Sequence, residues 1–195
     1  MKRHMNYKKN QSCKNPLNTR KNEDMRSYEN MIKVLFVCHG NICRSPMAEF
    51  VMKDIVNKRG LSNSFFIASA ATSTEEIGNP VHYGTRNKLK QYGISVAGKY
   101  AIQVKKSDYQ KYDYIFGMDQ WNMRNMKRIL GSDPEHKLYL LLDFSENPRD
   151  IADPWYTGDF DATYQDIYEG CETVLNHILS SKKDINGINH KSEKN

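Results

Sequence analysis

A cysteine and an arginine, Cys38 and Arg44, enclose five residues with the sequence His-Gly-Asn-Ile-Cys. A thiol that faces backbone N–H groups and a guanidinium loses its proton easily and becomes a nucleophile at neutral pH. An arginine grips two oxygens of an oxyanion at once, which a lysine cannot do. The pair therefore predicts a phosphate cradle with a nucleophile at its floor and attack of sulfur on phosphorus. The spacing alone is a weak pattern, and a buried cysteine near a surface arginine is the alternative.

The segments on either side of this loop are suited to positioning it. Val34–Cys38 is a short apolar run, which predicts a buried strand, and a helical pattern begins directly after the loop. Ser45 fits the N-cap of that helix and Pro46 its first position, where no N–H is needed. Such a helix N-terminus holds anions through its N–H groups and its dipole. The predicted phosphate-binding residues are His39, Gly40, Asn41, Ile42, Cys43, Arg44 and Ser45.

Two residues of the loop tolerate a left-handed backbone. Gly40 and Asn41 are the residue types that adopt this conformation at least cost, and it lets successive N–H groups converge on one point.

Further along the chain, predicted strands alternate with predicted helices. The strand candidates after the loop are Phe65–Ala70, Tyr114–Met118 and Lys137–Phe144. The later helix candidates are Val81–Tyr92, Gln120–Leu130 and a long amphipathic helix that begins at Phe160. This order predicts an α/β fold, a three-layer sandwich with a four-stranded parallel sheet and helices on both faces. The phosphate-binding loop would follow the first strand, at the carboxyl edge where such sheets bind ligands.

The distribution of charge divides the chain into a body and two tails. The formal net charge of the 195 residues is +6, but residues 1–30 hold eight Lys and Arg against three Asp and Glu. Residues 182–195 hold four against two, which leaves residues 31–181 with a net charge of −1. We therefore predict a disordered basic tail over 1–30, a phosphatase domain over 31–181 and a disordered tail over 182–195. A body of this charge argues against nucleic acid as a partner.

The chain lacks the sequence features of export and of membrane insertion. No apolar stretch resembles a secretory signal, and none is long enough to span a bilayer. The four cysteines, at positions 13, 38, 43 and 171, do not form an evenly spaced disulfide framework. A free nucleophilic thiol requires a reducing compartment. We therefore expect a cytoplasmic protein without a membrane partner.

A phosphatase also needs an acid that protonates the leaving oxygen. The acidic residues that follow the last predicted strand are Asp143, Asp150, Asp153, Asp159 and Asp161. Asp153 is favoured because Pro154 stiffens its backbone and Trp155-Tyr156 would form an apolar wall that keeps the acid protonated longer. An Asp that starts an ordinary turn fits the Asp-Pro pair equally well. From the residues alone, the choice among these acids stays open.

At four places the sequence resembles the low-molecular-weight protein tyrosine phosphatases. VLFVCHGNICRSPMAE is similar to their active-site signature. Three further motifs follow in the family's order over roughly residues 32–181: Ser69–Pro80 (SAATSTEEIGNP), Tyr112–Asp119 (YDYIFGMD) and Asp153–Tyr156 (DPWY). The resemblance implies a cysteine-dependent phosphatase that uses no metal or cofactor and acts on protein phosphotyrosine and small aryl phosphates through a cysteinyl-phosphate. It implies phosphotyrosine proteins as partners, with a tyrosine kinase as a further candidate. The implied catalytic residues are Cys38 as nucleophile, Arg44, and Asp153 as general acid and then base.

The resemblance also implies roles for residues around the nucleophile. Cys43 would form a reversible disulfide with Cys38 that protects the nucleophile from over-oxidation, although a small loop-filling residue is the plain alternative. Ser45 would donate a hydrogen bond to the thiolate. Asn41 and Ser69 resemble residues that hold the shape of the loop. Tyr92 falls where many relatives have a His that joins this network.

The residues around the mouth of the cradle bear on its substrate. Trp155 and Tyr156 would stack on a phenyl ring or cover the loop, and many relatives have Tyr in place of Trp155. His39 would line the pocket mouth or be a solvated loop residue. Ile42 resembles the phosphotyrosine branch, because relatives that act on phosphoarginine tend to carry Thr there.

Two other functions are alternatives to the hydrolysis of phosphotyrosine. An arsenate reductase on the same fold needs two further, closely spaced cysteines after the loop, yet none lies between Cys43 and Cys171. A phosphopeptide-binding module without turnover would be expected to lack the nucleophile or the acid. The sequence retains both, which favours the phosphatase. A P-loop NTPase is excluded because GxxxxGK[ST] does not occur.

Overall fold

The computed structural model describes the backbone of residues 31–189 and the side chains of residues 31–181. The predicted basic tail, residues 1–30, lies outside the described residues. Within the described chain, one parallel sheet has the strand order β2-β1-β3-β4. Its strands are β1 (Ile32–Cys38), β2 (Phe65–Ala71), β3 (Tyr114–Gly117) and β4 (Leu138–Leu140).

The strand that leads into the active loop, β1, is central and buried on both faces. Val34 and Phe36 pack into a core cluster on one face, and Leu35 and Val37 pack into another cluster on the opposite face. This alternation follows from the two-residue period of a strand, and a run buried on both faces is typical of parallel sheets. The helices are α1 (Arg44–Lys58), α2 (Tyr83–Lys90), α3 (Asp108–Lys111), α4 (Gln120–Leu130), α5 (Pro154–Thr157) and α6 (Phe160–Asn189).

These helices cover the two faces of the sheet. α1 and α6 contribute the first core cluster, and α3 and α4 contribute the second. The predicted three-layer α/β sandwich with a four-stranded parallel sheet is therefore confirmed. No helix in the described part of the chain has the length and apolar character needed to cross a membrane.

Several predicted boundaries differ from the structure. The predicted strand Lys137–Phe144 is confined to β4, because the chain turns after Leu140, whose N–H donates to Asp143 Oδ2 at 2.7 Å. Leu141 and Leu142 are still buried, which explains why the whole run looked like a strand. α6 continues to Asn189, so the predicted C-terminal tail begins inside this helix, and residues 190–195 lie outside the described residues.

The strand order places the active loop at a topological switch point. The chain leaves β1 for β2 on one side and later returns to β3 on the other side. In open parallel sheets, ligands bind in the crevice that this reversal opens at the carboxyl ends of the strands. Cys38 ends β1, and Asp119 lies two residues beyond the end of β3. The loop after β4 carries Asp153 to the same edge.

Candidate active site

Four carbonyl groups of residues 38–43 are hydrogen-bonded to residues that do not line the cleft. The carbonyl oxygens of Cys38 and His39 accept hydrogen bonds from Thr72 N (2.8 Å) and Ser73 N (3.0 Å). Those of Ile42 and Cys43 accept from His82 N (2.8 Å) and Thr85 Oγ1 (3.4 Å). Because a trans peptide is planar, each outward carbonyl sends the N–H of the next residue in the opposite direction. The N–H groups that this turns inward are those of His39, Gly40, Cys43 and Arg44.

Two residues shape the turn of this loop in different ways. Asn41 is left-handed, with φ 57°, and its N–H donates to Cys38 Sγ at 3.3 Å. Gly40 does not have a positive φ, although a glycine tolerates that conformation. A Cβ at Gly40 would lie 3.1 Å from Glu76 Cγ, so a close approach of chain segments explains this glycine. The left-handed turn depends on Asn41 alone.

Ser45 does not cap the helix, which corrects another prediction. α1 begins at Arg44, and its N-cap is Cys43, without a side-chain capping bond. The hydroxyl of Ser45 lies 3.1 Å from Cys38 Sγ instead, and it accepts a hydrogen bond from Asn41 Nδ2 at 2.8 Å. Pro46 lies in the first turn, where its missing N–H costs nothing. Ser45 is therefore placed to donate its proton to a Cys38 thiolate.

Arg44 lies buried between two carboxylates, with only 2% of its surface exposed. Nη1 donates to Asp119 Oδ2 at 2.6 Å and to the Ile151 carbonyl at 3.0 Å, and Nη2 donates to Asp153 Oδ2. Burial opposes its charge, but Cys38, Asp153 and Asp119 more than offset this and raise the pKa of Arg44. Its buried Nε has no hydrogen-bond partner among the described residues. A phosphate oxygen in the cleft would supply that partner.

Of the five acids considered from the sequence, Asp153 alone lines the cleft. Its Oδ1 accepts from Trp155 N at 3.1 Å, so the residue caps α5 while Oδ2 meets Arg44. The other four acids make hydrogen bonds or ion pairs outside the cleft. Asp143 bonds Leu140 N, Asp150 bonds Gln120 N, Asp159 caps the start of α6, and Asp161 pairs with Lys88.

Aromatic and charged side chains rise around the cleft, whose volume is about 660 Å³. Trp155 and Tyr156 lie on its rim and are 57% and 84% exposed, and Ile42 lines the wall nearer the loop. His39 Nε2 lies 3.0 Å from Glu75 Oε2 at the mouth of the cleft. The structure thus brings together every residue that the sequence indicated for catalysis and for the pocket.

Residues 33–184 match the family model described as low molecular weight phosphotyrosine protein phosphatase. The chain belongs to this family. It is therefore a cysteine-based protein tyrosine phosphatase, as the four sequence motifs implied.

Individual relatives agree with this assignment. The phosphatase is 42% identical over 155 residues to the low molecular weight protein-tyrosine-phosphatase YfkJ of Bacillus subtilis, covering 78% of this chain and 99% of that protein. It is 42% identical over 147 residues to the low molecular weight phosphotyrosine protein phosphatase of Gallus gallus, covering 73% and 92%. The crystal structure of YfkJ superposes with a TM-score of 0.75, covering 78% of this chain and 97% of that one. That of DARP, titled a drosophila arginine phosphatase, has a TM-score of 0.68 and 34% identity, covering 75% and 98%.

Cys43 of the phosphatase is a buried, neutral thiol. Burial, with the charges of Cys38 and Asp153, raises the pKa of Cys43 to about 12, despite opposing effects of Thr85 and Arg44. Since only the thiolate is a strong nucleophile, Cys43 does not compete with Cys38 at neutral pH.

Residues that sequence analysis missed include four on the wall of the cleft. Asp119, Trp121, Glu75 and Glu76 all line it. Asp119 stood at the end of a quoted motif, directly after a strand, which is the signal that could have revealed it. Trp121 and the two glutamates come from segments whose direction only the tertiary structure determines.

A buried network connects the nucleophile to an ion pair deeper in the phosphatase. Asn41 Nδ2 donates to both Ser45 Oγ and Ser69 Oγ at 2.8 Å, and Ser69 Oγ donates to Glu49 Oε2 at 2.6 Å. Lys99 Nζ lies 3.0 Å from the same Glu49 oxygen and donates to the Ser69 carbonyl at 2.9 Å. At position 92, where many relatives have a His that joins this network, this chain has Tyr92. Tyr92 instead stacks on Tyr164 with ring centroids 4.1 Å apart, and Lys99 occupies the end of the network.

The ion pair keeps this network in one orientation. Burial works against the Glu49 charge, but Lys99 and Lys53 more than offset it and lower the pKa of Glu49. An ionised Glu49 only accepts, so Ser69 must donate to it and accept from Asn41. Asn41 Oδ1 accepts from Ile102 N at 3.2 Å, which fixes the amide and directs Nδ2 at Ser45. The Ser45 hydroxyl then has two acceptors for its proton, Cys38 Sγ at 3.1 Å and the Ala70 carbonyl at 3.4 Å.

Replacing Lys99 is expected to destabilise the fold. Lys99→Met removes one partner of a buried pair whose side chains are 11% and 6% exposed, and the expected loss in unfolding free energy is about 3 kcal/mol. The control Lys58→Met breaks an exposed pair with Asp54 and should change stability by less than about 1 kcal/mol. Urea unfolding at pH 7 measures both. Equal effects of the two substitutions would contradict the role given to the buried pair.

The effect of Lys99→Met should also depend on pH. The pKa of Glu49 is lower in the folded protein than in the unfolded chain. Its stabilisation is therefore present above the unfolded value, about 4.3, and is lost as the pH falls through the folded value. The stability difference between wild type and Lys99→Met should thus shrink below about pH 4.

Proposed function

We propose that Cys38, Arg44 and Asp153 carry out the phosphatase reaction of this chain. Cys38 Sγ attacks phosphorus in line, the bond to the leaving oxygen breaks, and Asp153 gives that oxygen a proton. Asp153 then takes a proton from water, which attacks the cysteinyl-phosphate and releases inorganic phosphate. The thiolate is restored at the end of the cycle. The observation that supports this best is the set of outward carbonyls and the unpartnered Arg44 Nε around Cys38.

Charge stabilisation in this proposal comes from the protein alone. The inward N–H groups and Arg44 face the equatorial oxygens of the transferred phosphoryl group, where negative charge must be held. Asp119 holds Arg44 Nη1 together with the Ile151 carbonyl, so this side of the guanidinium is an anchor. Both aspartates are held alike, each by one Arg44 nitrogen and one backbone N–H, but Asp153 directly precedes Trp155 and Tyr156, the aromatic wall for a phenyl leaving group. We therefore assign the acid to Asp153 and the anchor to Asp119.

The proposed substrates are phosphotyrosine residues of proteins and small aryl phosphates. Trp155 and Tyr156 supply an aromatic wall for a phenyl ring, and His39 lies at the mouth of the cleft. Ile42 supports phosphotyrosine over phosphoarginine, although the similar DARP is titled an arginine phosphatase. A tyrosine kinase would act in opposition. The need for a free, reduced Cys38 supports a cytoplasmic location.

The experiment that tests this function is a turnover assay with EDTA and a reductant present. Wild type should hydrolyse p-nitrophenyl phosphate and a phosphotyrosine peptide. It should leave the matched phosphoserine peptide essentially untouched, because the shorter side chain does not bring its phosphorus to Cys38. Phosphoarginine should also be left essentially untouched, because Ile42 stands where relatives that act on phosphoarginine tend to carry Thr. Absence of turnover by folded, reduced protein would refute the proposal. Faster hydrolysis of phosphoarginine would refute the substrate assignment.

Cys43 is proposed to protect the nucleophile through a reversible disulfide with Cys38. Cys43→Ser should retain turnover in reductant to within about threefold, since its neutral thiol is not the nucleophile. After brief exposure to peroxide, wild type should recover most of its activity with dithiothreitol, because a disulfide is reducible and a sulfinic acid is not. The variant should recover little. Equal recovery by both proteins would show that Cys43 only fills space.

A further inference from the structure

Arg44 contacts two corners of the chain that have the same sequence pattern and similar hydrogen bonds, each at the N-terminus of a helix. The sequence Asp-x-Trp occurs as Asp119-Gln120-Trp121 at the start of α4 and as Asp153-Pro154-Trp155 at the start of α5. In each corner the aspartate caps its helix with Oδ1, accepting from Asn122 N at 2.6 Å or from Trp155 N at 3.1 Å. The Oδ2 atom of each aspartate meets Arg44. One buried guanidinium thus contacts the aspartate that precedes each of the two cleft-lining tryptophans.

The Trp121 side chain is exposed, but its neighbours on α4 hold it in place. It is 70% exposed and lines the cleft, while the next residue, Asn122, is 2% exposed and accepts from Met118 N at 3.2 Å. The guanidinium of Arg124 lies 4.1 Å from the centroid of the Trp121 ring. A rigid aromatic side chain loses little conformational entropy when a ligand packs on it.

The position of Trp121 on the rim decides what it can touch. The phosphate site at the floor is buried, whereas Trp121 is even more exposed than Trp155. A small aryl phosphate follows its phosphate toward the floor and ends near the inner walls. A peptide continues past the ring to the rim. Trp121 therefore contacts residues beside the phosphotyrosine, which a peptide substrate has and a small aryl phosphate lacks.

We propose that Trp121 is a specificity-determining residue that packs against the residue flanking phosphotyrosine in a protein substrate. Arg124 already covers the Trp121 ring, and its charge opposes a second cation at this place. The indole therefore favours an apolar or aromatic flanking side chain. This inference rests on the proposed phosphatase function and adds to it a preference among phosphotyrosine sites.

The test compares steady-state kinetics on three substrates. These are p-nitrophenyl phosphate, a phosphotyrosine peptide with Phe on both sides of the phosphotyrosine, and the same peptide with Gly there. Trp121→Ala should raise KM for the Phe-flanked peptide about tenfold and leave its kcat unchanged, because an aromatic contact in the bound state is lost. For the other two substrates, kcat/KM should change by less than about twofold. Arg124→Gln should raise the same KM about threefold by loosening the indole.

The control is Tyr100→Ala, which removes an aromatic ring that is 57% exposed and lies outside the cleft. It should leave all three substrates unaffected. An equal loss on p-nitrophenyl phosphate and both peptides would overturn the inference, because Trp121 would then act through Asp119 and Arg44. An unchanged KM for the Phe-flanked peptide would overturn it as well. If wild type does not hydrolyse even p-nitrophenyl phosphate, the proposed function itself fails.

Discussion

Cys38→Ser is expected to abolish turnover of p-nitrophenyl phosphate, with kcat lower by about 10⁴-fold or more. A serine hydroxyl is a far weaker acid than a thiol, so at neutral pH it is a poor nucleophile in the same place. Binding of inorganic phosphate should persist, since the inward N–H groups and Arg44 are unchanged. Stopped assays and isothermal titration with phosphate measure the two properties separately.

The matched control for this substitution is Cys171→Ala. Cys171 is also a buried thiol, but it lies in the core between α6 and α1, with Sγ 3.7 Å from the Ala48 carbonyl. Burial raises its pKa, so it is neutral and inert. The control should keep its turnover. Substantial activity in folded Cys38→Ser would mean that another group is the nucleophile.

Asp153→Ala is expected to lower kcat for the hydrolysis of aryl phosphates, and the decrease should be larger for poorer leaving groups. Phenyl phosphate needs a proton on its departing oxygen, so kcat should fall by about 10²–10³-fold. p-Nitrophenolate leaves without much help, so the decrease in kcat for p-nitrophenyl phosphate should be at least tenfold smaller. A plot of log kcat against the leaving-group pKa should therefore become steeper in the variant than in wild type.

Asp150→Ala provides the control for the acid. Like Asp153, Asp150 follows β4 in the sequence. Its carboxylate accepts a hydrogen bond from Gln120 N at 3.2 Å, but it does not line the cleft. Its replacement should leave the slope of the leaving-group plot unchanged. An equal loss across all leaving groups in Asp153→Ala would show that this carboxylate orients Arg44 rather than protonating the substrate. Asp119 would then become the candidate acid.

Local sequence was sufficient to predict the elements that carry the loop. The local sequence encodes a continuous apolar strand, a loop with residues that tolerate tight turns, and a following helix. β1 and α4 consequently lie close to their predictions, with α4 spanning Gln120–Leu130 as expected. The end of β4 was missed because buried leucines in a turn have the same hydropathy as leucines in a strand.

Side chains whose role depends on a distant partner could not be assigned from the sequence. The hydroxyl of Ser45 had a capping role available within its own helix, and the tertiary contact with Cys38 displaced that role. Lys99 follows Ser69 by thirty positions, yet both reach Glu49 in the interior. No spacing rule relates residues so far apart.

The sequence by itself determined the α/β sandwich, the family and the chemical groups at the floor of the site, because the nucleophile, the cradle and Arg44 lie within one short loop. The tertiary structure alone decided which acids reach that loop, since Asp119 and Asp153 follow different strands that meet at one edge of the sheet. It also decided that Trp121 stands on the rim with Trp155. The physical reason is that parallel strands distant in sequence become neighbours only when the whole sheet has formed.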